Sequence, residues 1–162
     1  MNICSVAIFI FIWICICQSH ETYEECASPW KHIGVGCYLI HQEKVSPDTA
    51  FALCHHHDAY LANLDTLEEA LLLQYEIKQW KTGINYIVGG RNINRYIKGG
   101  DWRWIKKGNM TKMSYFAFGG TQPDGSIPAP QDCIFFYAAD HYQLYDVFCY
   151  DTVFNGGYIC EK

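Results

Sequence analysis

Six cysteines, Cys26, Cys37, Cys54, Cys133, Cys149 and Cys160, constrain what this chain can fold into more than any periodicity does. An even set in a chain bound for an oxidising compartment is a disulfide framework, and the fold must bring each pair to bonding distance. Spacing alone cannot choose among the pairings that six cysteines allow. The compartment is read from the N-terminus. Residues 3–17 form an almost unbroken apolar run that ends in Cys17-Gln18-Ser19, with small residues where signal peptidase cuts. Residues 1–19 are therefore expected to be a secretory signal peptide, and Cys4, Cys15 and Cys17 leave with it. The run is shorter than the roughly 20 residues of a spanning helix, so the expectation is a secreted, extracellular protein with no membrane span.

Residues 20–162 have the length of one domain, large enough for a true core, so the bridges reinforce the fold and do not substitute for it. A net charge of -5, without basic stripes or charge blocks, gives no foothold for nucleic acid and no acidic or basic tail. Two helices come first. Ser46 reads as an N-cap with Pro47 at the first helical position, and Ala50, Phe51 and Cys54 as the inward face. Thr66-Leu67-Glu68-Glu69 fits a capping box opening a second helix that runs through Tyr75 and Ile77 toward Trp80.

Short strands follow: 86–88, Trp102-Arg103-Trp104-Ile105 with alternating faces, 133–138, 144–149 and 157–160. Residues 106–132 are rich in Gly and Pro with no sustained period, and a loop that long inside a compact domain is expected to be functional. Helices followed by strands predict an α+β domain.

Gln122-Pro123-Asp124 lies in that loop, ahead of Asp132-Cys133. Side chains flanking a proline can be aimed together at a hard cation when the peptide bond into the proline is cis. With Cys26, Trp30, Cys37 and Tyr38 at the start, Tyr86-Ile87-Val88-Gly89-Gly90 after the second helix and Trp102-Arg103-Trp104 beyond it, the chain resembles the C-type lectin-like domain over residues 20–162. The resemblance implies that fold in its long form, with two helices packed on antiparallel sheets. It also implies the disulfides Cys26–Cys37, Cys54–Cys160 and Cys133–Cys149.

In sugar-binding members of the family a calcium ion in the long loop bridges protein and sugar. By the resemblance Gln122, Asp124, Gln131 and Asp146 are the candidate metal ligands, and these four with Tyr145 the candidate carbohydrate-binding residues. The Gln-Pro-Asp order implies galactose-type sugars, with mannose-type as the alternative. Two positions depart from the pattern: Gln131 stands where the family has Glu, and Tyr145 where it has Asn. Only Asp124 and Asp146 then remain as carboxylate ligands, which predicts weak calcium binding. Tyr145, Tyr142 and Phe118 are the candidates to stack on a sugar face.

His55-His56-His57 cannot converge on one ion, because consecutive helical residues point about 100° apart, and His20, His32, His41 and His141 carry no ligand spacing. No catalytic motif is present, so no enzyme activity is expected. Asn109-Met110-Thr111 is a glycosylation sequon. Two functions follow: a calcium-dependent lectin for glycans on cell or microbial surfaces, acting in agglutination or innate recognition, and a calcium-independent module that binds protein. A homodimer is expected, since avidity strengthens a weak sugar site.

Overall fold

The computed structural model describes residues 26–114, 117–150 and 156–162; the expected signal peptide, 1–19, and His20 lie outside them. The chain order is β1 (Lys31–Ile33), β2 (Gly36–Val45), α1 (Pro47–His56), β3 (Tyr60–Leu61), α2 (Leu67–Gln79), β4 (Tyr86–Asn92), β5 (Trp102–Lys106), β6 (Asn109–Lys112), β7 (Cys133–Tyr137), a 3-10 turn (Ala138–Asp140), β8 (Gln143–Val147) and β9 (Gly156–Glu161). The sheet runs β1-β2-β9-β4-β5-β6, with β3 added on β9, and β7 joining β4 to β8. The β4–β9 pairing is parallel, Tyr86 opposite Gly157, and the other strand pairs are antiparallel.

Local chemistry sets the helix starts. Ser46 Oγ accepts from Thr49 N, with Pro47 just inside the helix, and Thr66 Oγ1 accepts from Glu69 N at 3.1 Å. Ala50 and Cys54 are fully buried, but Phe51 is exposed. The expected inward face is one residue too wide: Phe51 sits about 100° from Ala50 around the axis, and the sheet covers a narrower stripe. Ala70, Leu73 and Ile77 of α2 pack with Tyr38, Trp102, Trp104, Ile134 and Ile159 in one core cluster; Cys54, Cys160, Ile87 and Phe135 build a second.

Gly89 and Gly90 are required by close approach. A Cβ on Gly89 would lie 2.3 Å from Asn63 Oδ1 and 2.5 Å from Leu61 O, and one on Gly90 2.1 Å from Ile134 Cδ1. All three expected disulfides are formed: Cys26–Cys37, Cys54–Cys160 and Cys133–Cys149. The segment from 106 onward is not wholly irregular, since Asn109–Lys112 returns along β5 as a hairpin. The four residues are all exposed, so no alternation of burial marks them in the sequence.

Candidate functional site

Beyond the hairpin, the described residues 113–114 and 117–132 lead to β7 with no named strand among them, Phe118 making an isolated bridge to Leu144. Among the described residues the backbone ties this loop down at separate points, the last of them Asn92 N donating to Asp132 O at 2.8 Å. Met113 N donates to Trp102 O at 3.1 Å, Gly119 N to Leu144 O at 2.9 Å, and Ser126 and Ala129 exchange backbone hydrogen bonds at 3.0 and 3.2 Å. The peptide bond from Gln122 to Pro123 is cis, as the cation-site reading requires.

Side chains complete the anchoring. Asp146 on β8 is 3% exposed, and its Oδ1 and Oδ2 accept the backbone N–H groups of Asp124 at 3.2 Å and Gly125 at 2.8 Å. Burial pushes the Asp146 carboxyl above its ordinary range, and the two amides pull against that shift. Asp124 is exposed, and its Oδ1 accepts the Gln131 side-chain amide at 2.9 Å. Gln122 Oε1 is buried and has no hydrogen-bond partner.

Asp124, Gln131 and Asp146 thus come together at one loop, with Gln122 two residues before Asp124 in the chain, and Tyr145 takes another course. Its hydroxyl donates to Asp140 Oδ2 at 2.9 Å, its ring lies 4.9 Å from that of Tyr137, and a Cβ on Gly119 would meet it at 2.6 Å. Tyr145, on β8, therefore lies between the loop at Gly119 and the 3-10 turn at Asp140. The other two stacking candidates are engaged elsewhere. Tyr142 is buried in the core, and Phe118, partly buried, packs against the core on Trp102 at 5.3 Å.

A cleft of about 140 Å³ lies beside the triplet, with Pro123, Gly125 and Gln131 meeting Asn92, Arg95 and Ile97. The sequence does not point to the second group. Arg95 pairs with the buried carboxylate of Asp132 across 37 residues of sequence, and Tyr96, 79% exposed, stands between two residues that line the cleft. Residue spacing gives no sign of such a pairing, although an Arg in the segment joining the Gly-Gly strand to the Trp-x-Trp strand is a visible oddity.

Calcium takes six to eight oxygens and binds more tightly as the carboxylate count rises. Here both Asp146 oxygens already accept backbone amides, Arg95 neutralises Asp132, and Asp124 accepts from Gln131. Among the described residues, acidic, histidine and cysteine ligand atoms converge in threes only at Asp48, Cys133 and Cys149, where both sulfurs are bonded to each other. The donors present at the loop are therefore a poor fit for a tightly held calcium ion.

One of the scattered histidines belongs to a stacked set. His41 stacks on Tyr158 at 4.5 Å and on His57 at 5.6 Å. Burial first, and the neighbouring His57 second, push the His41 pKa down. Stacked rings do not aim their nitrogens at a common point, so the pair is a packing contact. Asn109 is exposed at the first position of β6, where the sequon is accessible.

No protein-family model and no curated protein sequence matches the chain. Solved structures do. SPL-1, solved as its GlcNAc complex, superposes with a TM-score of 0.71 at 24% identity, covering 87% of this chain and 97% of its own. The calcium-independent C-type lectin SPL-2 from Saxidomus purpuratus gives 0.67 at 26% identity, covering 85% and 93%. The carbohydrate-recognition domain of the human scavenger receptor C-type lectin gives 0.67 at 25%, covering 85% and 98%. With two helices, a mixed sheet and three disulfides in this arrangement, the chain has the C-type lectin-like fold.

Proposed function

We propose that this chain is a secreted glycan-binding domain that holds a terminal galactose-type sugar at the long loop, using Gln122, Asp124 and Gln131 as hydrogen-bonding groups without a resident calcium ion. One observation carries the reading: the loop's acidic side chains are neutralised or hydrogen-bonded from within the protein, by Arg95, by Gln131 and by the amides of 124 and 125. A site braced in this way keeps its shape without a metal. The remaining capacity is polar and suits vicinal hydroxyls. The second oxygen of Asp124 accepts from one hydroxyl, and the side-chain amide of Gln122 donates to another. Tyr96, 79% exposed between two residues that line the adjoining cleft, is the aromatic side chain assigned to stack on the sugar.

The preference for galactose-type over mannose-type sugars rests on the Gln-Pro-Asp order. The calcium-independent reading is in keeping with the likeness to SPL-2. Three disulfides suit an oxidising extracellular compartment, where glycans of cell or microbial surfaces are the partners and agglutination or innate recognition the setting. The test is a glycan array with the purified protein, alongside Asp124→Asn and Gln122→Ala. Both variants are expected to lose sugar binding with unchanged circular dichroism. Binding that survives both substitutions would move the site away from the triplet.

A further inference from the structure

Five exposed apolar side chains, none of them among the residues assigned to sugar, lie on α2 and the turn beside it. Leu67, Leu71, Leu72 and Tyr75 are 50%, 54%, 39% and 61% exposed on the outer side of α2, and Val35 is 88% exposed at the β1–β2 turn. The turn and the helix are adjacent, since a Cβ on Gly34 would lie 3.1 Å from Leu72 Cδ1. The inner side of α2 is already filled by Ala70, Leu73 and Ile77, so this is a second apolar face on one helix. Contiguous exposed apolar surface of this kind marks an interaction site more often than scattered single residues do.

We infer that this face is a twofold interface with a second copy of the chain, α2 packing antiparallel on α2 about a point level with Leu73. The helix sequence is self-complementary under that reversal. Leu71 falls opposite Tyr75 of the other copy, Leu72 opposite Gln74, and Glu68 opposite Lys78, residues equally spaced on either side of position 73. An isologous interface needs this property, because one surface must match itself. Glu68 and Lys78 are exposed and stand at the rim, where opposite charges set register, while Leu71 and Tyr75 supply the apolar centre. A lipid surface is the poorer occupant, since a membrane-lying helix carries Lys and Arg along its polar side and α2 carries three Glu against one Lys. The pairing would join two sugar sites in one particle, and it stands whether or not the sugar reading does.

The experiment is sedimentation velocity on the purified chain over a concentration series. The wild type is expected to dimerise, and Leu71→Glu and Tyr75→Glu to sediment as folded monomers with unchanged circular dichroism. Register is tested by charge reversal. Glu68→Lys and Lys78→Glu, each turning two symmetry-related attractions into repulsions, should weaken the dimer about tenfold apiece, and the double reversal should restore it. A monomeric wild type, including one that associates only with a different protein, would overturn the inference, as would a dimer untouched by Tyr75→Glu. Dimers that survive Leu71→Glu and Tyr75→Glu but respond to changes elsewhere would overturn it equally. A double reversal no tighter than either single one would reject the antiparallel register.

Discussion

The disulfide-bound half of the domain and the long loop hold their shapes in opposite ways. Around α1, α2, β2 and β9, each restraint is duplicated. Cys54–Cys160 links α1 to the last strand, β2 pairs β9 through Tyr38–Glu161 to His41–Tyr158, and side-chain caps fix the first turn of each helix. Among the described residues of 113–132 the anchors are of several kinds and each serves its own stretch: backbone hydrogen bonds at Met113, Gly119 and Asp132, Arg95 on Asp132, and one carboxylate, Asp146, that takes the amides of both Asp124 and Gly125. Redundant regions tolerate loss of a contact, whereas a loop with single anchors yields where its anchor is removed. The loop is thus the part of the molecule in which binding chemistry can change without loss of the fold.

The largest effect is expected in the redundant half, from its longest covalent constraint. Replacing Cys54 and Cys160 together by Ala should cost about 4 to 5 kcal/mol in the chain-entropy model, because the bridge closes a separation of 106 residues. Chemical denaturation measures it, and a cost no larger than that of removing Cys26–Cys37, with a separation of 11, would count against the model.

Asp146→Ala comes next, removing both loop acceptors at a cost of about 2 to 4 kcal/mol. The same substitution should abolish sugar binding while leaving the β2–β9 amides protected from hydrogen exchange. Equal loss of protection in both regions would erase the distinction between them.

A smaller, pH-dependent effect belongs to Glu161 in the redundant half. Its carboxylate accepts Tyr60 Oη at 2.9 Å and Asn63 N at 2.8 Å, and burial raises its pKa above the ordinary 4.5. A raised carboxyl pKa in the folded state adds stability that is full below 4.5 and lost as pH rises through the raised value. Wild type should therefore gain thermal stability relative to Glu161→Gln on acidification through that window. A pH-independent difference in midpoint would show that Glu161 titrates alike in the folded and unfolded states. The smallest effect is Asn109→Gln, an exposed position on β6, where stability should change by no more than about 0.5 kcal/mol and a loss of mass on the secreted protein reports glycan occupancy.

How far the sequence can be read follows the same division. Ser46, Pro47 and Thr66 announce the helix starts because capping is local, and the cysteines and Trp102-Arg103-Trp104 carry the family resemblance. Phe51 misleads because a helix pattern gives a face without its width, and β6 escapes notice because its residues are all exposed and pair through backbone alone. At the loop, Asp124, Gln131 and Asp146 are legible as neighbours, and hydrogen bonds join them in the structure. Their partners are not: Asp146 is satisfied by backbone amides, and Arg95 reaches Asp132 from a distant segment, neither of which leaves a mark in residue spacing.

Retention on a galactose resin, with and without a calcium chelator, tests the central claim most directly. If the loop is braced by Asp146, Gln131 and Arg95 in place of a metal, the protein stays bound through the chelator and elutes with free galactose. Elution by the chelator alone, reversed by adding calcium back, would contradict the account and make the Gln122-Pro123-Asp124 loop a calcium site.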